Sequence, residues 1–486
     1  MRSDLRELAL ATLFPGFIGT FEPPEWVLRL AGEGLGGVVL FGRNVDPRRG
    51  DAGVAELTGQ LHAARSDLLV AIDEEGGDVT RLDAAEGSSL PGNAALGAID
   101  DVTLTQRVAA ELGERLRTCG IDVNFAPVAD VDADERNPVI GVRAFGSDPE
   151  LVSRHVSAWV LGQQAQGVAA AAKHFPGHGG TEEDSHLTTP VLRDSLEDVR
   201  RQALPPFRAA VKADVKLVMT AHILMPAVDP GAPATLSREI VTGLLREELG
   251  FDGVVVTDGL DMHAISRTVG HAEAAVLALQ AGVDALCIGG DTVEPGRVEE
   301  MAAAIVGAVE SGRLSGDRLA EAAERVRSLA QWCRNADRAD ESLPAASIAA
   351  KQAVRAHGDV ALTDPPLVLE LWEGPSVAAG NVPWGVGALL AARLPGTEVV
   401  RLTAEDCDVT QVLAAYPDRR VVICVREARR LPWQVRVVQA ARAVRPDLVV
   451  VDHGIGSPPE VLGDNYVLAF GASRITAEAA SRLMAG

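Results

Sequence analysis

A run of histidines, acidic residues and one lysine stands out in the middle of the chain. Residues 173–190 read KHFPGHGGTEEDSHLTTP and follow the apolar residues 167–172, which indicates a strand that ends in a polar loop. Pro176 and the nearby glycines exclude a regular helix, so a loop must hold these groups. An imidazole titrates near neutral pH and a neighbouring carboxylate can orient it, so this loop could support acid–base chemistry.

The chain is strongly acidic. Its 486 residues include 45 basic and 68 acidic side chains, which give a formal net charge of −23 at pH 7. A nucleic-acid or anionic-membrane partner would need a basic face, so both partner classes are excluded and a small neutral ligand is favoured. The sequence does not indicate an oligomeric state.

The cysteines are odd in number and widely spaced, in mostly apolar surroundings. They are Cys119, Cys287, Cys333, Cys407 and Cys424. This usage indicates neither a disulfide framework nor a cysteine-based metal site. We therefore expect a reducing, cytoplasmic location.

An apolar stretch at residues 8–21 has some features of a signal peptide. Pro15 and Gly16 interrupt it, however, and no small-residue cleavage site follows, so we do not expect a signal peptide. The same stretch contains the first predicted strand. No run approaches the ~20 apolar residues that a membrane-spanning helix needs.

Short apolar runs alternate with longer segments of helical period over the first two-thirds of the chain, which is typical of a parallel α/β sheet. The predicted strands are residues 12–18, 37–41, 68–72, 122–127, 168–175, 216–222, 253–258 and 284–288. Amphipathic stretches between them predict helices, for example at 196–213. Eight strands with intervening helices over about 300 residues predict a (β/α)₈ barrel of the TIM type.

A second alternation of strands and helices begins beyond a polar stretch at residues 334–342. It predicts five strands in a smaller, open α/β sandwich. We therefore expect a barrel domain at 1–335, a linker and helix at 336–354, and an α/β sandwich domain at 355–486.

The barrel prediction can be tested against the positions of polar residues, because active sites of this fold lie on the loops after the carboxyl ends of the strands. The unusual polar groups do stand at the ends of predicted strands. Asp73 follows the third, residues 130–143 the fourth and the histidine-rich loop the fifth, whereas His222 ends the sixth and Asp258 ends the seventh. We therefore expect an active site at this rim.

Several stretches together are similar to the recurrent patterns of one enzyme family. They are GGVVLFGRN at 36–44, DEEGG at 73–77, NFAPV at 124–128, RAFG at 143–146, KHFPGHG at 173–179, DSH at 184–186, ATLS at 234–237 and FDGVVVTDGLDM at 251–262. The chain thus resembles glycoside hydrolase family 3, in its bacterial β-N-acetylhexosaminidase branch. The resemblance covers nearly all of the first domain, whereas the second resembles the sandwich of two-domain members in topology more than in motif.

The resemblance implies the catalytic groups of a retaining glycosidase. Asp258 is the implied nucleophile, and His186, oriented by Asp184, is the implied proton donor and then general base. The implied reaction releases a terminal N-acetylglucosamine from a peptidoglycan-derived or chitin-type saccharide, through a covalent glycosyl-aspartate intermediate. From the residues alone, Asp258 could equally be a helix N-cap. A neutral imidazole base also leaves phosphate open as the acceptor in place of water.

The resemblance also implies which residues bind the terminal sugar. They are Asp73, Arg81, Arg143, Lys173, His174 and His222. Structural alternatives stay open, since Asp73 and Lys173 could form a buried ion pair and Arg81 could be a surface charge. His222, like His178, could be a structural residue of the rim. No metal and no cofactor is implied.

The residues leave two alternatives to a glycosidase open. A metal-dependent barrel hydrolase could use His174, His178, Asp184 and His186 as ligands. No His-x-His follows the first predicted strand, and Pro176 breaks the helix that i, i+4 ligation would favour, so the sequence disfavours this class. A carbohydrate-binding protein without activity is the other alternative, which the presence of a full catalytic set disfavours.

Two departures from the family pattern affect the prediction of specificity. Glu74 and Asp78 stand where members often have Gln and Arg, which makes the rim more acidic. Gly259 stands where Asp, Ala or Ser usually follows the nucleophile. We also expect the loop to contain a fixed part at its start and a mobile part around residues 184–186, which has little apolar anchoring and orders when sugar binds.

Overall fold

The computed structural model of the protein describes residues 2–183, 188–289, 294–336, 339, 344–374 and 378–486. Contacts between Cα atoms divide the chain into two compact units. The first unit comprises Met1–Glu75, Thr105–Ile140 and Ser147–Leu343, and the second comprises Gly76–Leu104, Gly141–Gly146 and Pro344–Gly486. Among the described residues, no helix is both long and apolar enough to cross a membrane.

This grouping differs from the domain boundaries predicted from the sequence. Two segments of the first 146 residues, 76–104 and 141–146, belong with the second unit. Their partners in that unit are far away in sequence, so no local pattern could have assigned them there. The predicted boundaries at 335 and 355 stay a prediction.

The β-strands of the described residues are short and mostly buried. They are β1 Leu13–Pro15, β2 Gly37–Leu40, β3 Leu69–Ile72, β4 Val123–Asn124, β5 Ala169–Phe175, β6 Leu217–Thr220, β7 Leu224–Met225, β8 Asp229–Pro233, β9 Val254–Thr257, β10 Leu286–Ile288, β11 Arg355–His357, β12 Leu367–Leu371, β13 Glu398–Leu402, β14 Val421–Val425, β15 Val449–Asp452 and β16 Tyr466–Leu468.

The α-helices of the described residues are α1 Arg2–Ala11, α2 Glu25–Glu33, α3 Gly50–Ala64, α4 Asn93–Ile99, α5 Val102–Thr118, α6 Pro149–Gln164, α7 Leu196–Gln202, α8 Leu204–Lys212, α9 His263–Ser266, α10 His271–Ala281, α11 Pro295–Glu310, α12 Gly316–Asn335, α13 Ala346–Ala353, α14 Gly387–Arg393, α15 Val409–Ala415, α16 Pro432–Val444, α17 Pro459–Leu462 and α18 Arg474–Ala485. Turns of 3₁₀-helix occupy Gly42–Asn44, Gly141–Arg143 and Ala234–Leu236, and a π-helix occupies Glu239–Glu248.

Eight strands of the first unit form the predicted parallel barrel. A six-stranded sheet has the order β2-β3-β4-β5-β6-β9, and β1 pairs with β10. Two parallel bridges, Gly16 with Val39 and Val256 with Ala285, join these sheets on both sides and so close the barrel. Every residue of these eight strands is buried, which explains why they read as continuous apolar runs in the sequence. The (β/α)₈ prediction is confirmed.

Helix α12 closes the amino-terminal end of the barrel. Its residues Val326, Leu329 and Ala330 join the buried cluster formed by the inward-facing strand residues. Asp284, which precedes β10, is fully buried and pairs with three arginines, Arg246, Arg318 and Arg325, at 2.5 to 3.3 Å. With this end occupied by structural contacts, the opposite rim is left for chemistry, as in other barrels.

The second unit contains the predicted open α/β sandwich, with one added strand. Its sheet has the order β11-β16-β15-β14-β12-β13, in which β12 to β16 run parallel and β11 pairs antiparallel with β16. Alternate strand residues enter two hydrophobic clusters, for example Leu369 in one and Val368 in the other. Strand β11 was not predicted, because its three residues are exposed and lack an apolar pattern.

His453 is a buried histidine of this sandwich, directly after β15. Its Nδ1 donates to the carbonyl oxygen of Gly471 at 3.1 Å, and its Nε2 has no hydrogen-bond partner among the described residues. Burial lowers the pKa of His453 from 6.5 to about 4. A protonated ring would bring an unsatisfied charge into the core, so the folded state requires the neutral form.

This requirement predicts acid sensitivity. Because the pKa is lower in the folded than in the unfolded chain, the stabilisation is complete above pH 6.5 and is lost as the pH falls towards 4. Between pH 7.5 and pH 5, we expect the free energy of unfolding to fall by about 2 kcal/mol less in His453→Gln than in the wild type. Urea unfolding followed by tryptophan fluorescence at both pH values measures this difference. The matched control is His357→Gln, which makes the same change at an exposed histidine of β11.

Candidate active site

Three chemically active side chains meet at the carboxyl-terminal rim of the barrel. Asp73 directly follows β3, Lys173 lies in β5 and Asp258 directly follows β9. A shared neighbour is Cys287 on β10: burial raises the pKa of this thiol well above its usual range, the negative charges of Asp261, Asp73 and Asp258 raise it further, and Lys173 lowers it. Asp73, Lys173 and Asp258 all stand at the carboxyl ends of barrel strands, so the rim brings the predicted residues together.

Lys173 is the buried centre of this rim. Its Nζ lies 2.6 Å from Oδ1 of Asp73 and 2.7 Å from Oε1 of Glu75. The side chains of Lys173 and Glu75 are 2% and 3% exposed, whereas that of Asp73 is 20% exposed. A buried ammonium persists only when it is paired, so the two carboxylates keep Lys173 charged. The structural alternative, a buried ion pair of Asp73 and Lys173, is therefore present, and Asp73 is its solvent-accessible member.

Asp258 is half-buried at the end of β9. Its backbone N–H donates to the carbonyl oxygen of Thr220 at 3.1 Å, and its Oδ1 accepts from the N–H of Gly259 at 2.8 Å. The next helix, α9, begins at His263 with Met262 as its N-cap. Asp258 is therefore not a helix N-cap, and a strand end holds its carboxylate.

His222 supports the backbone beside Asp258. It is fully buried, and its Nε2 lies 2.9 Å from the carbonyl oxygen of Gly259. Since a carbonyl can only accept, Nε2 carries the proton and donates it. Nδ1 lies 2.8 Å from Oγ1 of Thr235, so both ring nitrogens have protein partners. This geometry matches the structural alternative, and a contact of His222 with sugar stays a prediction.

The start of the histidine-rich loop is fixed by a buried carboxylate, Asp130. One Asp130 oxygen accepts from Nδ1 of His174 at 2.7 Å and from its backbone N–H at 3.2 Å, and the other accepts from the N–H of His178 at 2.6 Å. Burial alone would raise the pKa of Asp130, but the charges and hydrogen bonds of the two histidines outweigh it and lower the pKa. His174 is therefore held rigidly, as expected for the first part of the loop.

His178 is also fixed within the protein. Its Nδ1 lies 2.8 Å from Oγ1 of Thr181, and its carbonyl accepts from Nδ2 of Asn137 at 2.9 Å. Asp184 and His186, the predicted catalytic dyad, lie outside the described residues. Among the residues that the structure describes, no group of three or more His, Cys, Asp or Glu side chains could hold a metal ion.

The two predicted substrate-binding arginines belong to the second unit. Arg81 is half-buried, and its Nη2 donates to the carbonyl oxygen of Ala378 at 3.0 Å. Arg143 is buried, and its carbonyl accepts from Nδ2 of Asn93 in α4 at 2.7 Å. Arg81 is therefore not an ordinary surface charge. The sugar contacts of both arginines stay predictions.

Two functional candidates were missed by sequence reasoning. Glu75 shares Lys173 with Asp73, and Asp130 holds His174. Both stood within stretches that had been noted for their position after strands three and four. Their partners lie 98 and 44 residues further along the chain, so only the pairing of neighbouring strands brings them together.

The fold and this rim define a class of protein, a (β/α)₈-barrel enzyme with carboxylates and a paired lysine at the barrel mouth. Residues 24–329 match the family described as the glycosyl hydrolase family 3 N-terminal domain. The chain belongs to this family, in its β-N-acetylhexosaminidase branch, and is a glycoside hydrolase.

Similar proteins carry related names. The chain is 36% identical over 332 residues to beta-hexosaminidase A of Pseudoalteromonas piscicida. This alignment covers 63% of this chain and 55% of the length of that protein. It is 36% identical over 308 residues to a beta-hexosaminidase of Nitrosomonas eutropha, covering 61% and 85%. The solved structure of a glycoside hydrolase family 3 beta-N-acetylglucosaminidase from Paenibacillus sp. FPU-7 gives a TM-score of 0.87 at 33% identity, covering 99% and 96%.

The geometry around Asp130 predicts the effect of one substitution. In Asp130→Asn one carboxylate oxygen becomes an amide N–H₂ group, which cannot accept a hydrogen bond. This group would face N–H donors of either His174 or His178. We expect a loss of about 1–3 kcal/mol in the free energy of unfolding. We also expect a loss on the order of 10-fold to 100-fold in kcat/KM, because His174 shifts.

Steady-state kinetics on a chromogenic N-acetyl-β-glucosaminide and urea unfolding measure the two losses. Asp134→Asn is the matched control in the same loop, because Asp134 pairs with Arg136, whose side chain is 67% exposed. Activity of Asp130→Asn equal to that of this control would contradict the positioning role of Asp130.

Proposed function

We propose that the protein is a retaining exo-β-N-acetylglucosaminidase. The observation that carries this proposal is the position of Asp258, a half-buried carboxylate that directly follows β9 at the same barrel rim as Asp73 and Lys173. The names of the similar proteins support the choice of sugar: two are beta-hexosaminidases and one is a beta-N-acetylglucosaminidase.

In the first step, Asp258 attacks the anomeric carbon of the terminal sugar. A glycosyl-aspartate ester bond forms as the bond to the leaving oxygen breaks, and the imidazolium of His186 donates its proton to that oxygen. The N–H of Gly259 holds Oδ1 of Asp258 at 2.8 Å and so fixes the plane of the attacking carboxylate. Nε2 of His222 in turn donates to the carbonyl oxygen of Gly259 and so holds the backbone of this residue.

In the second step, neutral His186 takes a proton from water while the water oxygen attacks the anomeric carbon. The ester bond breaks and Asp258 leaves as a carboxylate, so two inversions give net retention. Asp184 orients the imidazole and stabilises its charged form. These two residues enter the proposal through the family resemblance alone.

The sugar is held by hydrogen bonds to its hydroxyl and acetamido groups. Asp73 is suited to accept from hydroxyls, because it is the solvent-accessible member of the Lys173 ion pair. Lys173 and His174 supply donors in fixed positions, and Arg81 and Arg143 complete the proposed set of binders. A hydroxyl-binding site of this kind rejects analogues that leave its buried groups unpaired.

The proposed natural substrate is a peptidoglycan-derived or chitin-type saccharide with a terminal N-acetylglucosamine. Water is the proposed acceptor, and phosphate is the alternative that a neutral imidazole base permits. A cytoplasmic location, expected from the cysteine usage, stays a prediction.

Product analysis tests the reaction. With a chromogenic N-acetyl-β-glucosaminide we expect N-acetylglucosamine to appear first as the β-anomer, with or without phosphate, as followed by NMR. We expect Asp258→Asn to lower kcat on the order of 10³-fold or more, because no nucleophile remains. Asp252→Asn, at an exposed aspartate just before β9, is the control and should retain full activity.

Other products would contradict parts of the proposal. The α-anomer as first product would exclude retention, and N-acetylglucosamine 1-phosphate formed with phosphate would identify a phosphorylase. A β-glucoside or β-xyloside cleaved in place of the N-acetylglucosaminide would exclude the proposed sugar.

The role of His186 predicts a dependence on the leaving group. An activated aryl leaving group needs little protonation, whereas an alkyl or sugar leaving group needs a proton from the acid. We therefore expect His186→Ala to lose far more activity on a disaccharide than on a nitrophenyl glycoside, as measured by kcat/KM on both. His357→Ala should change neither, and equal losses on both substrates would argue against acid catalysis by His186.

A further inference from the structure

Asp78 departs from the family pattern, and the structure gives this residue a specific role. It is the third residue of the segment 76–104 and follows two glycines, Gly76 and Gly77, whose φ angles are 77° and 64°. A side chain at Gly77 would place its Cβ 2.5 Å from the Cα of Gly92. The chain therefore turns tightly at this point and directs Asp78 into the second unit.

The Asp78 carboxylate is buried against the carboxyl-terminal edge of the sandwich sheet. Its side chain is 5% exposed, and Oδ2 lies 2.5 Å from Nη2 of Arg426, which directly follows β14. Oδ1 accepts from the N–H of Ala472, between β16 and α18, at 2.7 Å. Both carboxylate oxygens of Asp78 therefore bind the second unit.

The position of Arg426 in the sheet explains why a carboxylate binds there. The strand order is β13-β12-β14-β15-β16. From β12 the chain first forms β13 on one side and then crosses to form β14 on the other side, so the switch point of the sheet lies between β12 and β14. Open α/β sheets bind their ligands at the carboxyl ends of strands at such a point. Here the chain supplies its own anion, Asp78.

The anchored segment carries residues that the proposed function uses. Arg81 lies three residues after Asp78, and Asn93 of the same segment holds the carbonyl of Arg143 at 2.7 Å. Gly97 packs so closely that a Cβ there would lie 1.7 Å from the carbonyl oxygen of Phe145. Segments 76–104 and 141–146 thus form one packed body within the second unit.

We propose that Asp78 and Arg426 are positioning residues for substrate binding, because their ion pair holds the segment that carries Arg81 and supports Arg143. This inference rests on the proposed function for the sugar contacts of the two arginines.

A double-mutant cycle tests the pair. In Asp78→Asn, the amide N–H₂ faces the guanidinium of Arg426, and in Arg426→Gln the Asp78 carboxylate loses its counter-charge. The double variant can restore a neutral hydrogen bond, because the amide of Asn can donate to the Gln oxygen and still accept from Ala472. Arg482→Gln, at an exposed arginine of α18, is the control.

For each single variant we expect KM for the chromogenic substrate to rise on the order of 10-fold to 100-fold with kcat within about 3-fold of wild type. In the double variant we expect KM to return most of the way to its wild-type value. KM values within about 2-fold of wild type in both single variants, or losses that simply add in the double variant, would overturn the proposal.

A second readout does not depend on catalysis. Trypsin cuts after Arg81 when segment 76–104 opens, so both single variants should be cut on the order of 10-fold faster than wild type and the double variant should not. Unchanged cleavage would overturn the anchoring role even if the protein acts on another sugar. If the wild type does not hydrolyse the N-acetylglucosaminide but trypsin cuts the variants as expected, only the proposed substrate is wrong.

Discussion

A buried ammonium between two carboxylates is the constraint on which the barrel rim depends. Lys173 is almost fully buried, and its ammonium lies at hydrogen-bond distance from the carboxylates of Asp73 and Glu75. Moving the loop after β3 away from β5 would separate the buried ammonium from both carboxylates, which costs several kcal/mol. The loop after β3 and the end of β5 must therefore stay together, and this keeps a solvent-accessible carboxylate next to a fixed positive charge.

The same physical device recurs elsewhere in the molecule. Asp130 collects three N–H donors from the histidine-rich loop, Asp284 collects three arginines at the amino-terminal end of the barrel, and Asp78 binds an arginine and a backbone N–H in the sandwich. A carboxylate can accept several hydrogen bonds at once, so one buried acid can fix several chain segments. Part of the acidic composition is therefore structural.

The barrel could be predicted because its strands are buried on both faces and read as short apolar runs. The helices followed from their period, although the predicted helix at 196–213 is divided at Ala203 into α7 and α8. Pro205 and Pro206 explain the division, because a proline is accepted in the first turn of a helix and not in its interior. The exposed edge strand β11 had no comparable signal.

The sequence by itself determined which chemical groups stand at the barrel rim, since each of Asp73, Lys173 and Asp258 adjoins a strand whose end could be read from local pattern. It also determined the family, through the motifs around these residues. Only the tertiary structure decided how these groups are paired: Lys173 with Glu75, His174 with Asp130, and His222 with the Gly259 carbonyl.

The assignment of segment 76–104 to the second unit likewise depends on tertiary structure. Asp78 and Arg426 are 348 residues apart, and nothing in the local sequence of either residue marks the other. Strand ends are encoded by nearby residues, because burial and turn chemistry are local properties. Ion pairs across the chain are decided only when folding brings distant charges out of water together.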